Sequence, residues 1–237
     1  MCRAKWLALG VLALGLIASK AMAFETVREA ARGQTVYFNA WGGSTQINDY
    51  IAWVAGEVAD RFGIELVHVK LTDTSEAVSR VLAEKAAGQT TGGSVDLVWI
   101  NGENFLAMKE NDLLYGPFAF DLPNFDLVDT AGKPTTLIDF TEPTDGLESP
   151  WGMAQFVLIH DSAALPEPPA DLATLAAWTR DNPGRFTFPS PPDFIGATFL
   201  KHVLHAAVDD PAILTAAPDP TTASETLAPV WAWLDEL

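Results

Sequence analysis

Three short β-branched runs alternate with two helix-length apolar stripes between Thr35 and Leu113, and no other feature limits the fold as tightly. Residues 35–40 (TVYFNA) read as a strand. Trp41, Gly42, Gly43 and Ser44 break it. Ile47, Ile51, Val54, Val58 and Phe62 then recur at spacings of 4, 3, 4 and 4, which is one apolar helix face. Ser44 is placed to cap that helix and Gly63 to end it. Residues 64–71 alternate as a second strand. Asp73 to Glu76 has the form of a capping box with Asp in place of Ser or Thr, and Val78, Val81, Leu82 and Lys85 carry a second helix to Gly88. Residues 95–100 (VDLVWI) read as a third strand, and Phe105, Met108 and Leu113 as a short helix after it.

This is β-α-β-α-β-α at short spacing. Helices that link neighbouring strands act as crossovers, so the sheet is expected to be parallel and covered on both faces. Ligands of such sheets sit beyond the C-terminal ends of the strands. The loops at that edge are 41–44, 72–74 and 101–104.

The pattern then changes. Residues 115–150 hold Pro117, Pro123, Pro134, Pro143 and Pro150 with three glycines, a stretch too long and irregular for an ordinary connection. Residues 151–160 (WGMAQFVLIH) read as a strand, Leu172, Leu175 and Trp178 as the start of a helix stopped at Asn182-Pro183-Gly184, and 185–189 (RFTFP) as strand-like. Residues 190–196 read as a loop before a helix from Ala197 to about Val208. The outline is an α/β protein of two α/β halves. The last residues, LAPVWAWLDEL, read as a helix without a cap, in which Trp231, Trp233, Leu234 and Leu237 need a partner surface. We therefore expect the second half to be incomplete and the chain to be a fragment of a longer protein.

Residues 1–23 stand apart from the fold. Arg3 and Lys5 precede an apolar run from Trp6 to Ala18, and Ala21-Met22-Ala23 has the A-x-A form of a cleavage site. The run is shorter than the roughly 20 residues a membrane-spanning helix needs. A signal peptide cleaved after Ala23 is expected, and with it export to the periplasm. The domain expectation is thus a signal peptide over 1–23, a first lobe with its irregular connection over 24–150, and a hinge strand with a partial second lobe over 151–237. The whole chain carries 14 Lys+Arg and 31 Asp+Glu, a formal charge of −17, which argues against nucleic acid as a partner. The single cysteine, Cys2, lies in the leader, so the mature chain has neither a disulfide nor a thiol nucleophile.

No catalytic signature is present: there is no G-x-S-x-G, H-E-x-x-H, Walker A or G-x-G-x-x-G pattern. His202 and His205 share a helix face, but a surface pair is the simpler reading than half a metal site. His68 and His160 fall in strand runs, where partly buried, hydrogen-bonded histidines are expected. Binding residues are easier to place. Trp41, Gly42, Gly43 and Ser44 put an indole, two glycines and a hydroxyl at a helix N-terminus, where free backbone N–H groups favour polar or anionic groups and the ring can stack. The plain alternative is a strand-to-helix turn with Trp41 in the core. Asn101, Gly102, Glu103 and Asn104 put three polar side chains at the end of the third strand, where capping is the alternative. Phe194 offers a ring, and Gly196 a close backbone approach at a helix start. Trp151 and Gln155 share a strand face at the crossing between halves, with a core Trp as the alternative.

The exported start and the segments VYFNAWGGSTQIN, SVDLVWINGENF, SPWGMAQFVLIHDSA and NPGRFTFPSPPDFIGATF together resemble bacterial periplasmic solute-binding proteins of ABC transporters, in the YnjB-like branch of the extracellular solute-binding proteins. The resemblance implies a type II periplasmic-binding fold, with two α/β lobes, hinge strands and a cleft between the lobes. It implies that Trp41 to Ser44 and Asn101 to Asn104 line the cleft from the first lobe, that Trp151 sits at the hinge, and that Phe194, Ile195, Gly196 and Ala197 form the second wall. Where the family pattern has Thr this chain has Ile195, which takes one polar contact from that wall. The implied partners are a small-molecule solute and an inner-membrane ABC permease, with the protein as a monomer, not an enzyme, and with neither cofactor nor metal. The aromatic residues and Glu103 suit a planar or cationic solute such as thiamine or a polyamine, whereas N–H groups at Gly43 and Gly196 suit an anion. An exported hydrolase and a periplasmic ligand sensor are the alternative functions.

Overall fold

The computed structural model describes residues 24–191, 193–215 and 218–237; the leader and its cleavage site lie outside them, as does Pro192. The chain divides into two compact units with the boundary after Trp151.

The first unit begins with helix α1 over residues 24–31. Strands β1 (Thr35–Trp41), β2 (Glu65–Leu71) and β3 (Leu97–Val98) form a parallel sheet in the order β2-β1-β3, with Thr35 opposite Glu65 and Phe38 opposite Leu97. Helices α2 (Thr45–Phe62), α3 (Ser75–Ala86) and α4 (Gly102–Glu110) follow the three strands in turn. The period-two alternation of β1 sorts its two faces. Phe38 and Ala40 are buried with Ile51 of α2, and Ile47, Leu66 and Trp99 pack against them. Asn39, fully buried, points the other way and accepts a hydrogen bond from the Arg80 guanidinium of α3 at 3.2 Å. The sheet is thus covered on both faces, as the β-α alternation requires.

Local signals did what their chemistry predicts. The Ser44 hydroxyl accepts from the Ile47 N–H, and Gly63 ends α2 at φ +67°, a backbone conformation open to glycine. The box at α3 is modified. Glu76 accepts from the Asp73 and Thr72 N–H groups, but the Asp73 carboxylate takes the Ser75 N–H rather than that of Glu76. The third strand is two residues long instead of six, because only Leu97 and Val98 find ladder positions beside β1.

Residues 115–150 are irregular, as expected, with three single 3₁₀ turns and a small antiparallel hairpin of β4 (Ile138–Asp139) and β5 (Glu142–Pro143). Lys109 on α4 clamps this hairpin. Its ammonium donates to Glu142 Oε1 at 2.5 Å, to the Pro143 carbonyl at 2.6 Å and to Asp145 Oδ2 at 2.7 Å. Burial opposes the charge, but the Asp145 and Glu142 bonds outweigh it and raise the Lys109 pKa. Lys109→Met will strand both carboxylates and the carbonyl, and will cost about 1–3 kcal/mol in urea unfolding; an unchanged midpoint would show the clamp to be ornamental.

The second unit consists of α5 (Leu172–Asp181), α6 (Phe194–Ala207) and α7 (Ala223–Leu234) with connecting segments. Neither the strand expected over 151–160 nor that over 185–189 forms among the described residues. A strand needs a ladder partner as well as β-branched residues, and neither run has one among the described residues. His160 is correspondingly exposed, and its Nδ1 contacts the Leu165 carbonyl at 2.9 Å. Helix α6 starts at Phe194, three residues before the expected Ala197, because Asp193 caps it. Its Phe199 and Val203 are buried with Val230 of α7, and Trp233 and Leu234 pack against them, so the apolar face of α7 has a partner on α6. Trp231 is half exposed. No helix among the described residues is long and apolar enough to cross a membrane.

Candidate functional site

In the first unit the three expected loops lie where the parallel sheet puts them, after the C-terminal ends of β1, β2 and β3. The Trp41–Ser44 turn is shaped by close approach. A Cβ on Gly42 would come 2.7 Å from Lys70 Cβ, and one on Gly43 would come 2.3 Å from the Trp41 indole, which folds back over that glycine. Trp41 remains 41% exposed, so it is not the core residue of the plain alternative. Ser44 is spent on capping α2. The Gly42 N–H donates to the Leu71 carbonyl at 2.9 Å, while the Gly43 N–H has no partner among the described residues.

The Asn101–Asn104 loop differs from expectation. Asn101 is extended and makes no side-chain cap. Gly102 opens α4 at φ +58°, and its N–H donates to Asp139 Oδ2 at 2.6 Å. Glu103 and Asn104 stand in the first helical turn, Glu103 exposed. Asp139 comes from the hairpin, whose two turn residues, Phe140 and Thr141, have φ of +46° and +86°. A β-branched Thr in that region is strained. The strain is held by packing, with the Phe140 ring lying 3.6 Å from where a Gly102 Cβ would sit. Glu148 lies beside Asp139, and burial, followed by the Asp139 charge, pushes its pKa up to about 7. The start of α4, whose dipole would draw an anion, is already filled by the protein's own carboxylate.

Trp151 packs edge-on to Phe38 and Tyr50 at centroid distances of 5.8 and 5.9 Å, and lies 5.8 Å from Trp99. It is nevertheless 46% exposed, and it belongs to the rim of the first unit's core. Gln155 is exposed on a segment without strand structure, so the shared strand face with Trp151 does not form.

In the second unit Phe194 to Ala197 are the first turn of α6 and not a loop. Gly196 is buried, and a Cβ there would meet the Pro189 carbonyl oxygen at 2.1 Å, so the close backbone approach is with the chain itself. The N–H groups of Ile195 and Gly196 donate to Asp193 Oδ1 at 2.8 and 3.0 Å. Ile195 is 49% exposed. An Asp directly before an apolar helix is a capping signal that the sequence carried. Nothing local announces Asp139, which reaches α4 from the hairpin, or Glu148, whose charge it opposes. His202 lies against Phe156 at 5.6 Å, and no group of three or more His, Cys, Asp or Glu among the described residues could hold a metal ion.

The family described as bacterial extracellular solute-binding protein matches residues 53–237, a span that includes the Asn101, Trp151 and Phe194 regions and begins after the Trp41 turn. Protein YnjB of Escherichia coli (strain K12) is 46% identical over 232 residues, which is 98% of this chain and 59% of that relative. No solved structure matches.

Proposed function

Because this chain belongs to the bacterial extracellular solute-binding proteins, we propose that it captures one small solute in the periplasm and delivers it to an inner-membrane ABC permease. The family's fold is the type II periplasmic-binding fold, and its members bind rather than catalyse, which retires the hydrolase. The observation that carries the transport reading is the family match together with 46% identity across 98% of the chain. The chain spans 59% of that relative's length, so the solute and the permease belong to this proposal. Export would follow cleavage after Ala23.

The proposed solute contacts in the first unit are Trp41, Gly43 and the start of α4. Binding of solute would act by differential affinity for one conformation over another. The electrostatics favour a cationic or planar solute over an anion. Of the two N–H donors expected to suit an anion, that of Gly196 is held by Asp193 while that of Gly43 stays open among the described residues, and the N–H of Gly102 at α4 is held by Asp139. Glu103 and Asp139 lie at the start of α4, and Glu148 interacts with Asp139.

A thermal-shift screen of this chain with thiamine, spermidine, sulfate and a neutral sugar tests the reading. A cationic compound should raise the melting point progressively with concentration, and Trp41→Ala should weaken that shift about tenfold by removing the stacking ring. A shift from sulfate alone would reverse the charge assignment. No shift from any compound would remove the site. Loss of solute uptake in cells lacking the protein separates transport from sensing.

A further inference from the structure

A second place in the first unit has the makings of a ligand site. A groove of ≈ 400 Å³ runs between α2 and β2, from Asn48 and Lys70 down to Ala55 and Leu66. That volume falls in the range of small-molecule sites. The floor is apolar, formed by Ile51 and Leu66, and the polar groups collect toward one end: Asn48, Asp49, His68 and Lys70.

The state of these polar groups is unusual. The Asn48 amide nitrogen donates to the Gly42 carbonyl at 2.9 Å. A carbonyl can only accept, so the amide orientation is set. Asn48 Oδ1 is then left buried without a hydrogen bond. A buried acceptor with no donor costs stability, and such a group calls for a partner. His68 Nε2 lies 3.2 Å from the Ala40 carbonyl, which assigns the proton to Nε2 and leaves Nδ1 as a second acceptor. Asp49 supplies a negative charge. Lys70 supplies a positive one, and it has no ion-pair partner among the described residues. The groove therefore offers several acceptors, one cation and an aliphatic floor.

We propose that this groove binds a small zwitterion with an aliphatic side chain, an α-amino acid, separately from the solute site described above. The ammonium answers Asp49 and the Asn48 oxygen. The carboxylate answers Lys70, and the side chain lies on Ile51 and Leu66.

The probe is L-leucine, titrated into the ¹⁵N-labelled chain and followed by NMR. Saturable shifts should appear at the Asn48 side-chain amide and along 66–70. Lys70→Met should weaken binding about tenfold, the loss of one charge-assisted hydrogen bond. Ala52→Trp, at an exposed residue that lines the groove, should fill the groove and abolish the shifts while leaving the remaining spectrum folded. Shifts confined to the Trp41–Ser44 and Asn101–Asn104 loops would place leucine at the solute site and overturn the proposal. So would the absence of any shift, or shifts at the groove that survive both substitutions. Each of these outcomes is independent of whether a cationic solute raises the melting point, so the two readings stand or fall separately.

Discussion

Phe199→Ala will destabilise the second unit by about 3–5 kcal/mol, the cost of removing a fully buried ring. Phe199 is 0% exposed, and its ring lies 4.4 Å from Phe188, 5.7 Å from Phe186, 5.9 Å from Trp233 and 6.0 Å from Phe156 by centroid distance. The four aromatic neighbours cannot readily collapse into the hole, because they come from three separate segments, around Phe156, around Phe186 and Phe188, and α7. Trp233, for one, is anchored by its indole N–H on the Leu172 carbonyl at 3.1 Å. The loss is comparable to the whole stability of many small domains. Urea unfolding followed by tryptophan fluorescence reads it, since Trp178, Trp231 and Trp233 all lie in this unit. Trp231→Ala is the control. That ring is half exposed and should cost under about 1 kcal/mol. Equal losses for the two substitutions would show that the core is not where the rings place it.

Stability of the first unit should fall as pH rises from about 4.5 to about 7, and Glu148→Gln should flatten that fall. Burial of Glu148, followed by the neighbouring Asp139 charge, lifts its carboxyl from 4.5 to about 7. The folded state therefore holds a proton that the unfolded chain releases near 4.5. Between those two values the native state binds more protons, so stability declines with rising pH and levels off above about 7. The ceiling on the decline is about 3 kcal/mol, from roughly 2.5 pH units at 1.36 kcal/mol each. Partial solvation of Glu148 lowers it. Glu148→Gln should leave stability at pH 4 nearly unchanged and raise the urea midpoint at pH 8. A stability curve with the same slope in wild type and variant would assign the titration elsewhere.

The parts of the molecule legible in the sequence are those written in adjacent residues. The stripe from Ile47 to Phe62 became α2, with the Ser44 cap and Gly63 stop where their chemistry puts them. The order strand-helix-strand-helix-strand required a parallel sheet, and β2-β1-β3 is one. The Trp41–Ser44 turn could be read as glycine-dependent, although the reason lay in Lys70 and the indole crowding the two glycines. Residues 151–160 misled because their composition suits a strand as well as any, while strand formation is decided by a distant neighbour. The polar group expected at the start of α4 and the anion-binding N–H expected at Gly196 misled for a related reason. Asp193 lay in plain view as a cap, but Asp139 reaches Gly102 from 37 residues away.

By itself, then, the sequence determined the α/β class, the positions of most helices, the acidic balance and the membership of a binding family. Each of these follows from local periodicity, composition or motif, which act over one or two turns of chain. Only the tertiary structure decided that Asp139 and Glu148 meet beside α4, that Phe199 gathers four rings, and that Asn48 is left with an unanswered oxygen over a groove. Those are contacts between segments whose separation along the chain carries no signal, and burial and charge act on groups according to distance in space.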